Sequence, residues 1–123
     1  QAGITHNDID LTMIYDSFTY TVMLTLEALG FCKPGEAADL VANQRTAPGG
    51  EFPLNTSGGG LSYTHPGMYG SFLLVEAVRQ LRGEAGDRQV HRKGDSTQNP
   101  KVAIVNGTGG SLSSTGTVVL ATD

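Results

Sequence analysis

Tryptophan is absent, cysteine occurs once, and only 16% of the residues are charged. A single cysteine, Cys32, cannot close an internal disulfide. No Cys/His grouping at metal-ligand spacing accompanies it, so disulfide scaffolds and zinc modules are both excluded and no metal site is expected. A free cysteine at a helix end usually packs as a small hydrophobe, and Cys32 reads as structural. The 8 Lys and Arg against 12 Asp and Glu are scattered apart from a short Arg88 to Lys93 cluster, which leaves no electrostatic footprint for nucleic acid. No apolar run approaches the roughly 18 residues of a membrane span, and the N-terminus lacks the charged-then-apolar layout of a secretory signal. A cytoplasmic protein without a membrane span is expected.

Glycine, by contrast, is plentiful: 17 residues, bunched at Gly58, Gly59, Gly60 and again at Gly107, Gly109, Gly110. Such clusters mark tight turns or close backbone approach. At 123 residues and 12.9 kDa the chain is long enough for one core and is read as one domain. It begins with Gln1 directly on a loop, without methionine, as a piece of a longer polypeptide would.

Leu11 to Tyr15 is an apolar run of strand length, and Asp16 or Ser17 can cap the helix that follows. Asp8 and Asp10, in the preceding turn, read as solvated. Tyr20 to Leu29 is apolar on nearly every face and ends at Gly30, so this helix needs more cover than so small a domain supplies. A missing partner is implied. A second helix over Gly35 to Asn43 precedes a loop at Pro48-Gly49-Gly50, a short extended piece Phe52 to Asn55, and a loop Thr56 to Gly60. Pro66 suits a first helical position, predicting a helix to Arg82 that buries Phe72, Leu73, Val75, Ala77, Val78 and Leu81. The polar stretch from Gly83 to Pro100 reads as a mobile surface connection of variable length. Lys101 to Asn106 and Gly116 to Thr122 form a β-hairpin pattern. The expected fold class is α/β, a mixed β-sheet with packed helices in βααβαββ order.

His65 stands immediately before Pro66 and after the first glycine run. At a helix N-terminus the partial positive charge disfavours imidazolium, so a neutral histidine able to accept a proton or to donate to an oxyanion is expected. Bare glycine backbone lets an amide-bearing ligand arm lie close. A lone histidine of this kind can equally be a helix cap or a satisfied buried donor.

The segment Asn55-Thr56-Ser57-Gly58-Gly59 through His65-Pro66 resembles the N-x-x-G-G…G-H-P signature of thiolases, especially the sterol-carrier-protein-x and lipid-transfer-protein type. Tyr15-Asp16-Ser17-Phe18 is similar to the family's N-E-A-F or H-D-C-F box. Leu26-Glu27-Ala28-Leu29-Gly30 and Gln80-Leu81-Arg82-Gly83-Glu84-Ala85-Gly86 resemble two further boxes, and Asn106 to Gly110 falls on the final glycine-rich loop. The boxes run in order along essentially the whole chain, so residues 1–123 resemble the C-terminal half of a thiolase-fold enzyme, a fragment of a larger two-half protein.

The resemblance implies that His65 matches the histidine that activates a nucleophilic cysteine and holds the thioester oxygen, that cysteine lying in the absent N-terminal half. It also implies a coenzyme A thioester as substrate with no covalently bound cofactor. Ser17, Gly58, Gly59, Gly60, Asn106, Gly107 and Gly109 fall in the substrate-binding boxes. Homodimers and, for related aldolases, a small OB-fold, zinc-ribbon partner protein are further implications.

Three residues depart from the family pattern. Tyr15 replaces the Asn or His that orients an oxyanion water, Ser17 replaces the cysteine of H-D-C-F, and no C-x-G cysteine is present near Asn106-Gly107. This half therefore lacks the cysteine base of a Claisen condensation. Tyr63 adds a second phenol two residues before His65. Tyr15 and Tyr63 are either core aromatics with a satisfied hydroxyl or, with His65, the catalytic set of a retro-aldol cleavage resembling that of the lipid-transfer-protein aldolases of steroid side-chain breakdown. Thiolysis is the other chemistry open to such a half. Convergence of Tyr15, Tyr63 and His65 on one cavity separates an enzyme half from a non-catalytic acyl-CoA-binding or scaffolding module of the same fold. A nucleotide-binding domain is disfavoured, because Gly107-x-Gly109-Gly110 leads into a β-branched run and not a helix.

Overall fold

A computed structural model describes residues 2–123, and Gln1 lies outside the described residues. Strand β1 (Leu11–Ile14) is buried at all four positions and runs parallel to β2 (Val102–Gly109), with Leu11 opposite Ala103 and Ile14 opposite Asn106. β2 then pairs antiparallel with β3 (Ser114–Ala121), from Val102 opposite Ala121 to Gly109 opposite Ser114. A mixed three-stranded sheet in the order β1-β2-β3 results. The hairpin is longer than expected. β2 continues through Gly107 and Gly109, which the sequence assigns to a loop, because the antiparallel ladder runs on to pair Gly107 with Gly116 and Gly109 with Ser114; Gly107 also lies against Gly70 of the helix that crosses the sheet.

The expected extended piece Phe52 to Asn55 is reduced to one parallel bridge between Leu54 and Thr12 on the free edge of β1. Pro53 can only accept, taking the Thr12 N–H at 3.1 Å, and Asn55 turns the chain away at φ 49° after donating to the Thr12 carbonyl at 3.1 Å.

Four helices join the sheet: α1 (Thr19–Ala28), α2 (Ala37–Val41), α3 (Gly59–Ser62) and α4 (Tyr69–Leu81). α2 is shorter than expected because Gly35 is left-handed at φ 88° and Asn43 and Gln44 kink the chain at φ 56° and 59°. The single turn α3 occupies what the sequence presents as loop. α4 lies across the sheet, placing Tyr69, Leu73, Ala77 and Leu81 in a core with Leu11, Met13, Ala103 and Val105. It starts three residues later than expected, since Met68 is non-helical at φ -128°, ψ 42°. Phe72, Val75 and Val78, expected inside, face outward at 38%, 52% and 40% exposure, because the buried stripe follows Leu73, Ala77 and Leu81 instead. α1 buries only Thr21 and Leu26.

The stretch 83–100 is pinned, not loose. Gln80 donates to the Arg88 carbonyl at 2.7 Å and accepts the Val90 N–H at 2.8 Å, while Arg88 pairs with the buried Glu76 at 2.9 Å. Asp10, expected in solvent, is buried and accepts the backbone N–H groups of Lys93, Lys101 and Val102 at 2.8, 2.7 and 3.2 Å. Asp8, as expected, is exposed, closing a local capping box with Thr5. No helix among the described residues is long and apolar enough to cross a membrane.

Candidate active site

Strand β1 delivers Tyr15 to the end of the sheet, and two clamps hold it there. Before it, the Asn55 side chain completes the β1 edge as a neighbouring strand would, accepting the Ile14 N–H at 2.8 Å and donating to the Ile14 carbonyl at 2.7 Å. At the residue itself, the Tyr15 N–H donates to the Asn106 carbonyl at 3.0 Å. The Tyr15 hydroxyl reaches His65 Nδ1 at 3.4 Å, with the rings stacked at 6.0 Å between centroids. That is the long end of hydrogen-bonding distance, so the two groups are paired without being tightly bonded.

Behind Tyr15 lies Tyr69, 5.7 Å away between centroids, itself stacked on Phe72 at 5.7 Å and 3°. Tyr69 is buried. Burial pushes its phenol above the usual range, against the opposing pull of a Ser57 hydrogen bond at 3.4 Å. It therefore backs the site as a neutral aromatic wall.

Tyr15 and His65 open into a cavity of about 970 Å³, a volume suited to a drug-sized or larger ligand. Ser17, Gly107 and Gly109 also line it, whereas Asn106 does not. The Asn106 side chain is buried in the hairpin, donating to the Thr115 and Thr117 hydroxyls at 3.0 and 2.8 Å. The Ser17 hydroxyl is shared with that of Thr21 at 2.9 Å, at the start of α1. Phe18, Tyr20, Met68 and Leu112 rim the mouth and are 71%, 62%, 77% and 55% exposed.

Four expectations about this site change. His65 does not sit at the helix N-terminus, because Pro66, Gly67 and Met68 intervene before α4. Tyr63 does not join Tyr15 and His65. Its ring meets Phe72 edge-on at 6.1 Å, bordering a separate cavity of about 390 Å³ with Glu76, Arg79 and Arg88. Gly58, Gly59 and Gly60 lie outside the Tyr15–His65 cavity; Gly59 and Gly60 meet Asp16, while Gly58 faces Ser62 and Tyr63. Asp16 in turn caps α3, not the helix following β1: its carboxylate accepts the Gly60 and Leu61 N–H groups at 2.6 and 3.2 Å.

A family model described as "Thiolase C-terminal domain-like" matches residues 1–122. The chain belongs to the thiolase C-terminal domain-like family.

This thiolase C-terminal domain is 42% identical over 111 residues to a steroid side-chain-cleaving aldolase of Thermomonospora curvata, covering 89% of the chain and 26% of that relative. It is 45% identical over 91 residues to human sterol carrier protein 2, covering 73% of the chain and 17% of the relative. Among solved structures, an "Ltp2-ChsH2(DUF35) aldolase" superposes with a TM-score of 0.78 at 34% identity, over 97% of the chain and 28% of that structure. The domain thus spans between about a sixth and a quarter of the curated relatives just named.

Sequence reading passes over Tyr69 and the buried ionic group on α4. Tyr69 carries no motif, although a tyrosine one turn below an apolar helix stripe is a signal for an aromatic wall. Burial pushes the Glu76 carboxyl up, but hydrogen bonds from Arg88, Thr56 and Gln80 outweigh it and leave the group below its ordinary value. Cys32, the single cysteine, is not among the residues lining the Tyr15–His65 cavity, and desolvation followed by the charges of Glu27 and Glu36 raises its thiol. No group of acidic, histidine or cysteine residues placed to hold a metal ion occurs among the described residues. Chemically, a phenol in contact with an imidazole can pass a proton either way, and glycine backbone on the opposite wall leaves room for substrate.

Proposed function

We propose that this thiolase C-terminal domain supplies the acid/base pair of an enzyme that cleaves a β-hydroxyacyl-CoA by retro-aldol chemistry. The observation carrying the reading is the 3.4 Å approach of the Tyr15 hydroxyl to His65 Nδ1 inside a large cavity that this half furnishes with no thiol. The likeness to a steroid side-chain-cleaving aldolase supports it, and makes a steroid-bearing acyl chain one candidate substrate.

In the reaction, one member of the pair takes the β-hydroxyl proton and the oxygen lone pair forms the new carbonyl. The bond between the α and β carbons breaks, and its electron pair passes into the thioester as an enolate. A proton delivered to the α carbon completes the shortened acyl-CoA. The coenzyme A thioester is substrate, and no covalent cofactor enters any step. Tyr63 is assigned no step.

The complete enzyme contains an N-terminal thiolase half, assembles as a homodimer and engages a second protein of the OB-fold, zinc-ribbon kind. Support comes from the name of the solved aldolase, which joins two components, and from apolar surface left uncovered at Phe18 and Tyr20 and at Phe72, Val75 and Val78 on α4.

The outward turn of Tyr63 favours a second reading, a non-catalytic acyl-CoA-binding module of the same fold. The deciding experiment incubates the full-length protein, with its partner, with β-hydroxyacyl-CoA and separately with β-ketoacyl-CoA plus free coenzyme A. Release of a carbonyl product and a shortened acyl-CoA from the first alone supports retro-aldol cleavage. Turnover of the second alone replaces it with thiolysis, and binding without turnover of either favours the module.

A further inference from the structure

We infer that Asp16 is a positioning residue that sets the separation of Tyr15 and His65, and that the glycine run 58–60 is shaped to admit its carboxylate and not a ligand. The inference rests on the acid/base reading of that pair.

Asp16 is 6% exposed and its backbone adjoins Tyr15 directly. Its Oδ1 accepts the Gly60 N–H at 2.6 Å and its Oδ2 the Leu61 N–H at 3.2 Å, so both oxygens are committed to one turn of chain. The glycines make this possible. A Cβ on Gly59 would overlap the carboxylate, and one on Gly60 would stand 3.2 Å from Oδ1 and 3.5 Å from the Tyr15 ring at Cε2. Gly58 and Gly59 also adopt φ 99° and 69°, where a side chain would be strained. The turn so anchored is closed by Ser62 and Tyr63 N–H groups on the Gly58 and Gly59 carbonyls at 3.2 and 3.0 Å, and it leads directly into Thr64 and His65.

Tyr15 therefore sits one residue from the carboxylate on one side, and His65 a few residues from the carboxylate's partners on the other. Charge-assisted hydrogen bonds of this kind are roughly twice as strong as neutral ones and hold geometry accordingly. Apart from the Tyr15–His65 contact itself, the other polar ties from β1 to this segment, at Pro53, Asn55 and Thr56, lie well before His65. A loosening of even ~1 Å at an acid/base pair can cost ~100-fold in rate.

The test uses the full-length protein with its partner. Asp16→Asn keeps the shape while replacing one acceptor by an NH₂ group, and Gly60→Ala keeps the carboxylate while crowding it. Two readouts are taken: kcat and KM for β-hydroxyacyl-CoA cleavage per folded enzyme, and the rate of His65 carbethoxylation by diethyl pyrocarbonate, followed by mass spectrometry with exposed His91 as internal reference.

Expected for Asp16→Asn are a kcat lower by at least 10-fold, a KM within twofold, and a His65-to-His91 modification ratio raised at least threefold as the Tyr15 hydroxyl releases Nδ1. Gly60→Ala is expected to move the same quantities in the same direction by less. An unchanged kcat per folded enzyme with an unchanged ratio in both variants overturns the inference. If the wild-type protein cleaves no β-hydroxyacyl-CoA, the retro-aldol reading fails by itself, and the modification ratio still decides whether Asp16 positions His65. Should Asp16→Asn fail to fold, Gly60→Ala decides by the same two measurements.

Discussion

Removing the Asp10 carboxylate should release the segment that connects α4 to β2. Three backbone N–H groups converge on that side chain, from Lys93, Lys101 and Val102. A hydrogen bond to a charged group is worth about 1.5–3 kcal/mol net when buried. None of the three donor residues is buried, so the freed N–H groups recover water and the sum is discounted to about 3–4 kcal/mol for Asp10→Ala. Because the bonds join the segment to the sheet, the loss should appear first as local opening. Hydrogen exchange with mass spectrometry on the full-length protein reads it directly. Peptides covering residues 88–102 should exchange about 100- to 1000-fold faster, since each 1.4 kcal/mol corresponds to a factor of about 10, while peptides from the middle of α4 change little. Asp8→Ala, which removes only an exposed local cap, is the control and should leave those peptides untouched. Exchange over 88–102 within threefold of wild type in Asp10→Ala would refute the assignment of that carboxylate as the anchor.

Other outcomes follow from the same geometry. Tyr15→Phe and His65→Gln should each lower carbon–carbon cleavage by about 10²–10⁴-fold in steady-state assays, with the circular dichroism spectrum unchanged. Glu76 has a folded pKa below its ordinary 4.5, so its stabilising effect is complete above that value and is lost as the pH falls through the lowered one. Exchange protection at Val90 should accordingly weaken in acid below pH 4.5, and Glu76→Gln should flatten that dependence. Gly107→Val should destabilise by about 1–3 kcal/mol, because the added methyl groups press on the Gly70 backbone, and denaturant titration would show it. Gly107→Ala, whose Cβ meets only ordinary contact, should cost far less.

Regular periodicity and collinear motifs made the α/β class, β1, α1 and the closing hairpin legible, since each is a run whose pattern decides its own structure. The contact between Tyr15 and His65 was half legible: both residues fall in motif boxes, but only the fold shows that β1 and the turn after α3 bring them together. Tyr63 misled because two residues along an irregular segment is enough to turn a side chain to the opposite side of the Tyr69–Phe72 stack. Asp10 was read as solvated, and Asp16 as the cap of the helix after β1 when it caps α3. A carboxylate in a turn is normally hydrated, and what buries these two are backbone N–H groups 44 to 92 residues away, which no local pattern announces. The glycine runs were recognised as places of close approach, but what approaches is Asp16 in one case and Gly70 in the other.

Asn55 carries a consequence for how this scaffold tolerates change. Because one amide side chain satisfies both backbone groups of Ile14, the edge of β1 away from β2 is completed at its end without a continuous strand on that side. A change of length between Gln44 and Pro53 should then leave the position of Tyr15 unmoved so long as Asn55 keeps its left-handed backbone. A single amino acid thus stands between the outer edge of the sheet and its reacting end.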